Sequence, residues 1–313
     1  MASMLNLFSP LMLGRTRLPN RIVLAAFPSG CAAPDGFVSS PFVEYYQVRA
    51  RGGPGMLVIE PAYVLPPLDG RIPHLGLYAD AHISGLRRCI DALHRVGAAV
   101  LVMLDQPLQL GRLGHAEIDQ IGEAFIAAAW RVHAAGADGI MISCADGGPF
   151  EQLISPLHNR RTDRYGGSPG TRLRLLLDVV EGIGRWMGSD FVVGVRLNVE
   201  EFAPGGLTLQ DTRVIAKRLA GAGVKLLETC AGIGASYPIA QFPGWCVPLA
   251  AGIKAVVDVP VMVGGLSDDA ALVDSVIREG SADLVTLSEV LRAEPDWPHS
   301  AREALARRHD DSR

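Results

Sequence analysis

Short apolar runs alternate along the chain with longer stretches in which apolar residues recur at helical spacing. Runs of this length, bounded by Gly, Pro, Asn and Asp, are typical of strands buried on both faces of a parallel sheet. The predicted strands are Arg21–Phe27, Met56–Glu60, Ala98–Leu104, Asp138–Ser143, Phe191–Leu197, Lys225–Thr229, Pro260–Val263 and Asp283–Leu287. Their alternation with helices predicts an α/β fold.

Four junctions between a helix and the next strand share one pattern, in which the helix ends on Gly just before the strand begins. The glycines are Gly97, Gly136, Gly223 and Gly280. Gly adopts the left-handed conformation that ends helices without steric cost, so the repeat marks the ends of successive helices. Together with the eight predicted strands it predicts a single (β/α)8 TIM barrel, a fold that holds 313 residues in one domain.

One predicted outer helix, Ala116–Ala135, shows the periodicity clearly. Its apolar stripe consists of Ile118, Ile121, Phe125, Ala128 and Val132. The chain has no linker or low-complexity segment, so we expect one domain over 1–313, with a lead-in over about 1–20 and a charged, fraying tail over 299–313.

The charge balance limits the classes of function that the chain can have. A net charge of -4 and a pI of about 6.1 argue against the basic surface that nucleic-acid binding requires. The longest apolar runs, such as Ala98–Leu104, are too short to span a membrane, and the first residues lack a signal-peptide pattern.

Five cysteines without a CxxC pair predict reduced thiols, mostly small buried residues, in a cytoplasmic protein. With no metal-ligand spacing in the sequence, we expect a small-molecule partner and no metal; the oligomeric state stays open.

The segment Ser155–Arg174, SPLHNRRTDRYGGSPGTRLR, follows the fourth predicted strand and is rich in Arg, Asp, Asn and Gly. We expect side-chain hydrogen bonds to order it, with Gly166 and Gly167 at a turn. The string resembles the signature loop of the old yellow enzyme family, the flavin-dependent ene-reductases built on a TIM barrel. The resemblance extends through Leu7–Phe27, Tyr45–Pro61 and Asp80–Ala98.

Several flavin contacts that the resemblance implies are altered. The first strand is followed by Pro28 where the family has Thr or Cys, and Pro61 lacks the N–H that the family offers to the flavin. Met103 stands in place of a Gln, and Ser288-Glu289 stands where an Arg pairs with the flavin phosphate. We therefore expect no cofactor, with FMN as the alternative.

Two features match the family's flavin site. Arg196 corresponds to the Arg that contacts the N1/O2 edge of the flavin, and Gly264-Gly265 resembles the turn whose N–H groups cradle phosphate. If FMN is bound, we expect Arg196, Gly264 and Gly265 to bind it. We interpret Glu60 and Glu228, near other strand ends, as structural acids.

The end of the fourth strand departs furthest from the family. Ser143 and Asp146 replace the pair that binds the substrate oxygen, and Gly148 replaces the proton-donating Tyr. An ionised Asp accepts hydrogen bonds and donates none. We interpret Asp146, Arg196, Ser143 and Asp105 as a catalytic set in which Asp146 moves a proton beside a carbonyl while Arg196 and Ser143 stabilise its oxygen.

Three functional hypotheses follow. The favoured one is an old yellow enzyme-like barrel used for a flavin-independent, non-redox reaction, such as an isomerisation, cyclisation or addition and elimination, on an unsaturated or carbonyl-bearing small molecule. The second is an FMN-dependent NAD(P)H ene-reductase with a divergent active site. The third is a non-catalytic binding barrel.

Overall fold

A computed structural model describes residues 6–67, 74–111, 113–232 and 238–311. Eight parallel strands close into a barrel, because the last strand pairs with the first and the first pairs with the second. We number them 1 to 8 in chain order: Ile22–Leu24, Met56–Tyr63, Ala99–Asp105, Gly139–Cys144, Val192–Asn198, Leu226–Cys230, Val261–Val263 and Leu284–Thr286. This confirms the predicted (β/α)8 barrel and all eight strands, with bounds that differ by one to three residues.

Helices surround the barrel and connect the strands. In chain order they are α1 Ser40–Arg51, α2 Ile83–His94, α3 His115–Ala134, α4 Pro149–Ile154, α5 Pro169–Arg172, α6 Arg174–Met187, α7 Leu209–Gly221, α8 Val247–Lys254, α9 Ala270–Arg278, α10 Ser288–Ala293 and α11 Trp297–Asp311. Helix α3 confirms the helix predicted over Ala116–Ala135, and all five residues of its apolar stripe are buried.

Side-chain alternation along the strands divides the core into two parts. In strand 2, Met56 and Val58 join an apolar cluster that fills the barrel, whereas Leu57 and Ile59 join the layer that packs against the helices. An antiparallel hairpin, Leu11–Leu13 with Thr16–Leu18, contributes buried residues to the barrel interior. The barrel is therefore a packed core, and it leaves space for a ligand only at an end.

The glycine repeat has the predicted geometry. Gly97, Gly136, Gly223 and Gly280 have φ between +71° and +107°, the range that side chains with a Cβ rarely adopt. Each follows a helix and precedes a strand within a few residues. The repeat therefore sets the direction in which the chain re-enters the barrel.

Residues 299–311 of the charged tail form most of α11, so this part is helical rather than frayed. The indole of Trp297 is buried and donates to the Asp268 carbonyl at 3.0 Å, and Ala301 and Leu305 are buried on the same side. Helical spacing of a few apolar residues among many charges was enough to dock the segment. In the described ranges, no helix is long and apolar enough to cross a membrane.

Candidate active site

A cavity of about 540 Å³ opens at the carboxyl ends of the strands. Its walls come from the ends of strands 1, 5, 6, 7 and 8 and from the loop before α8. Residues that line it include Phe27, Arg196, Glu228, Trp245, Gly264 and Glu289. This is the end of a TIM barrel where active sites are found, and the volume suits a small organic ligand.

Strand alternation places several polar side chains at inward positions near this end. Glu60, Asp105, Ser143 and Glu228 each follow an inward apolar residue by two positions. Arg196 follows the inward Val192 of strand 5 by four positions. A polar layer here cannot join the apolar interior, so its members pair with each other, with the backbone or with a ligand.

Arg196 lies at the centre of this layer. Its Nη2 is 3.5 Å from Oδ2 of Asp146, and Glu228 is its register partner on strand 6. Desolvation lowers the pKa of Arg196, but the carboxylates of Glu228 and Asp146, with the Cys230 thiol, outweigh it and raise that pKa further above its usual range. The buried Nε of Arg196 has no acceptor, so the guanidinium keeps one donor for a ligand.

The four proposed catalytic residues are only partly brought together. Asp146 pairs with Arg196 from a left-handed backbone conformation, φ 58°, with its side chain 63% exposed. Ser143 is buried and its hydroxyl donates to the Ala145 carbonyl at 3.3 Å, so that hydroxyl is engaged with its own loop. The fourth residue, Asp105, lies at the end of strand 3.

The carboxylate of Asp105 lies where a side chain at position 148 would begin. A Cβ at Gly148 would lie 2.7 Å from Oδ1 of Asp105, closer than side-chain atoms normally approach. The Asp105 carboxylate is held there by the backbone N–H of Gln106 at 2.8 Å. The carboxylate of Asp105 on strand 3 therefore fills the room in which a larger side chain at position 148 would begin.

The Asp105 carboxyl group is strongly perturbed. Burial, helped by the charges of Asp146 and Glu151, raises its pKa to about 7 against the opposing effects of the Gln106 N–H and of Arg196. A carboxyl group with such a pKa is partly protonated near neutral pH, so it can either give or take a proton.

The glycine turn after strand 7 has the geometry that the sequence suggested. Gly265 has φ +73°, and a Cβ at Gly264 would lie 2.7 Å from the Thr286 hydroxyl. The backbone at this point therefore tolerates no side chain and stays accessible to a ligand. Glu289, in the first turn of α10, also lines the cavity and is exposed.

The altered positions on strands 2 and 3 have structural explanations. Pro61 lies at an irregularity between Ile59 and Ala62 in the pairing of strands 2 and 3, where its missing N–H is tolerated. Met103 is buried in the barrel interior, and the side chain of Gln106 accepts a hydrogen bond from the Leu65 N–H at 2.8 Å. Neither Met103 nor Gln106 lines the cavity.

Two residues of this region were missed from the sequence. Glu151, in the first turn of α4, accepts from the N–H of Gly147, and Asn198 donates from Nδ2 to Glu151 Oε1 at 3.0 Å. Asn198 follows Arg196 by two positions on strand 5, so the alternation could have found it. The position of Glu151 depends on the path of the loop before α4, which no periodicity in the sequence indicates.

Glu60 and two histidines near this region have partners or positions away from the cavity. Glu60 accepts from the Ser29 N–H at 2.7 Å, and burial raises its pKa. His115 pairs with Asp163 at 2.8 Å on the surface, and His158 is exposed. No group of three or more His, Cys, Asp and Glu residues in the ranges covered by the structure could hold a metal ion.

The loop over Ser155–Arg174 is ordered by hydrogen bonds, as predicted. The buried Asn159 donates from Nδ2 to the Leu153 carbonyl at 2.6 Å and to the Tyr165 carbonyl at 2.7 Å. A Cβ at Gly166 would lie 1.9 Å from the Arg161 carbonyl oxygen, which explains the first glycine of the pair.

Comparisons with known proteins assign the family. The model of the NADH:flavin oxidoreductase / NADH oxidase family matches residues 6–112 and 108–308. An NADH oxidase of Thermoanaerobacter brockii is 34% identical over 95% of this chain, but this chain spans only 51% of that protein. An NADPH dehydrogenase of a Geobacillus species is 30% identical, over 96% of this chain and 94% of that protein.

The fold comparison agrees. The old yellow enzyme from Trypanosoma cruzi superimposes with a TM-score of 0.82 at 23% identity, over 96% of this chain and 92% of the other. Taken together, fold and family model define a flavin oxidoreductase type of barrel. The chain belongs to the NADH:flavin oxidoreductase / NADH oxidase family, to which the old yellow enzymes are related.

These findings correct the favoured functional hypothesis. The expectation of a flavin-independent isomerase, cyclase or lyase without a cofactor is wrong, because the family and the relatives are named for flavin-dependent or nicotinamide-dependent redox reactions. A hydrogen bond contributes about 0.5–1.5 kcal/mol net, so the loss of several single contacts does not by itself exclude a cofactor.

Proposed function

We propose that this chain is an FMN-dependent oxidoreductase that transfers reducing equivalents between NADH or NADPH and a small organic molecule. The observation that carries the proposal is one cavity lined by both Arg196, whose buried Nε has no acceptor, and the Gly264-Gly265 turn. When bound, FMN supplies hydride transfer between the nicotinamide and the second substrate. The family membership and the NADPH dehydrogenase relative support the same reading.

The residues present fit the flavin at two places. Arg196 offers a guanidinium donor to the electron-rich edge of the ring, and it is held in place by Glu228 and Asp146. The turn at Gly264-Gly265 offers backbone N–H groups to the phosphate. Glu289 lines the same cavity and weakens phosphate binding through charge repulsion, so we expect the affinity for FMN to be lower than with a basic residue there.

On the substrate side, Asp105 is the residue suited to hold or move a proton. Its pKa of about 7 allows both protonation states at neutral pH. Because residue 148 is a glycine, no side chain from that position covers the carboxylate. In this proposal Arg196 orients the cofactor, Asp105 exchanges the proton, and Asp146 fixes the guanidinium and contacts the substrate. The hydroxyl of Ser143 stabilises the loop that carries Asp146.

The test is the reduction of the FMN-loaded protein by nicotinamide. Under anaerobic conditions, NADPH or NADH should bleach the flavin absorbance, and Arg196→Lys should slow the bleaching or weaken FMN retention by about tenfold, because lysine cannot reproduce the fork geometry. Arg185→Lys, on the surface of α6, is the matched control and should change nothing. A flavin that stays oxidised with both nicotinamides would refute the proposal.

A further inference from the structure

Glu228 is a buried acid in the wall of the cavity at the carboxyl ends of the strands. It is 5% exposed and points inward, because Leu226, two positions before it on strand 6, belongs to the barrel interior. Its Oε2 is enclosed without a hydrogen-bond donor, and in the described part of the chain no residue donates to Oε1 either. The carboxyl group is therefore an acceptor that the protein itself leaves unmet.

The next two polar residues of strand 6 already have partners. The hydroxyl of Thr229 donates to the Met262 carbonyl at 3.2 Å, and the thiol of Cys230 donates to the Leu197 carbonyl at 3.3 Å. Buried polar groups in folded proteins normally have such partners. Of these three consecutive residues, Glu228 is therefore the one whose side chain stays available to a ligand.

The surroundings of Glu228 favour a hydroxyl group as the missing donor. Burial raises the pKa of Glu228, and the charge of Arg196 opposes that shift. A hydroxyl group pairs with a carboxyl group in either protonation state, because it both donates and accepts hydrogen bonds. A cationic ligand group would instead meet the charge of Arg196, the register partner of Glu228 on the neighbouring strand.

Glu228 lies between the two places that we propose for the ends of FMN. On one side, strand 6 pairs with strand 5 through Arg196, and on the other it pairs with strand 7 through Met262, two residues before Gly264. Arg196, Glu228 and Gly264 all line the cavity. In FMN, a chain of hydroxyl-bearing carbons connects the ring to the phosphate. A flavin with its ring edge at strand 5 and its phosphate at strand 7 therefore carries these hydroxyl groups across strand 6.

We propose that Glu228 is a specificity-determining residue for the cofactor, because its carboxyl group accepts a hydrogen bond from the hydroxyl-bearing chain of FMN. The proposal deepens the proposed function and rests on it for the identity of the ligand. It assigns the middle of the cofactor to strand 6, between the contacts on strands 5 and 7. A flavin without hydroxyl groups would leave the buried carboxyl group unmet and would bind less tightly.

The experiment compares riboflavin with lumiflavin, which has a methyl group in place of the hydroxyl-bearing chain; neither has a phosphate. Each is titrated into the cofactor-free protein, and binding is followed by flavin fluorescence. We expect the wild type to bind riboflavin at least about tenfold more tightly than lumiflavin. Glu228→Leu should bring the two Kd values to within about threefold of each other, because leucine accepts no hydrogen bond.

Glu228→Leu should fold, because replacing a buried charged group with an apolar side chain of similar volume is often neutral or stabilising, and thermal unfolding checks this. Glu228→Gln is the conservative variant, which keeps an acceptor oxygen and should keep at least part of the preference for riboflavin. The matched control is Glu289→Gln, which removes another acid from the cavity wall and should keep the preference, because neither ligand has a phosphate.

Equal binding of the two flavins by the wild type, or an unchanged preference in Glu228→Leu, would overturn the proposal. A loss in Glu289→Gln as large as that in Glu228→Leu would also overturn it, because the effect would then come from net charge.

The same titration separates this proposal from the proposed function. If both flavins bind and riboflavin is not preferred, the role of Glu228 is wrong while the cofactor assignment stands. If neither flavin binds up to about 100 μM, the FMN assignment fails and this proposal fails with it.

Discussion

At the residue scale, the site depends on where each charge is placed. Arg196 is held between Glu228 and Asp146, so its guanidinium is oriented before any ligand arrives. Asp105 sits in the space where a side chain at Gly148 would begin, and burial keeps it partly protonated at neutral pH.

The pKa of Asp105 predicts a pH-dependent stability. Its folded pKa of about 7 lies above the ordinary 3.8, so the contribution of this group is fully present below about pH 4 and is lost as the pH rises through about 7. Asp105→Asn should therefore match the wild type near pH 4 and have the higher melting temperature above pH 7. Thermal unfolding across this range is the measurement; parallel curves for both proteins would show that the perturbed pKa is not real.

Glu289 gives a second prediction at this scale. Glu289→Arg replaces a like charge with a donor near the proposed phosphate site and should raise FMN affinity by about tenfold. Riboflavin, which has the ring but no phosphate, is the matched ligand and should bind the two proteins equally. An equal gain for riboflavin would mean that position 289 does not face the phosphate.

At the element scale, the repeated glycines show how local rules build the barrel. Gly136 has φ +92° directly after α3, whereas Gly184 lies inside the exposed part of α6 with open space around it. Gly136→Ala should destabilise the protein by about 1–2 kcal/mol, the cost of the left-handed conformation. Gly184→Ala should stabilise it by about 0.5–1 kcal/mol, because alanine favours a helix. Chemical denaturation measures both, and the same sign for the two variants would contradict this account.

The sequence predicted the strands and the glycine junctions because burial and steric rules act over a few neighbouring residues. It also placed Arg196, Asp105 and Asp146 near the barrel mouth, since strand order and alternation fix that end. It could not predict the contact between Asp105 and position 148, or the role of Glu151. Those depend on loop paths and on side-chain directions that are set by the whole assembly.

At the scale of the whole molecule, the barrel belongs to the flavin oxidoreductase family, and the residues at its mouth set what it binds. Arg196 and the Gly264-Gly265 turn line that mouth. Glu289 adds a negative charge to the cavity wall without closing the cavity. A weaker cofactor site is the expected consequence.

Titration of the cofactor-free protein with FMN, followed by flavin fluorescence, tests the central claim most directly. The account predicts saturable binding with a Kd of about 1 μM or below, and weaker binding by Arg196→Lys. Fluorescence that shows no saturation up to about 100 μM FMN would contradict the assignment of this cavity as a flavin site.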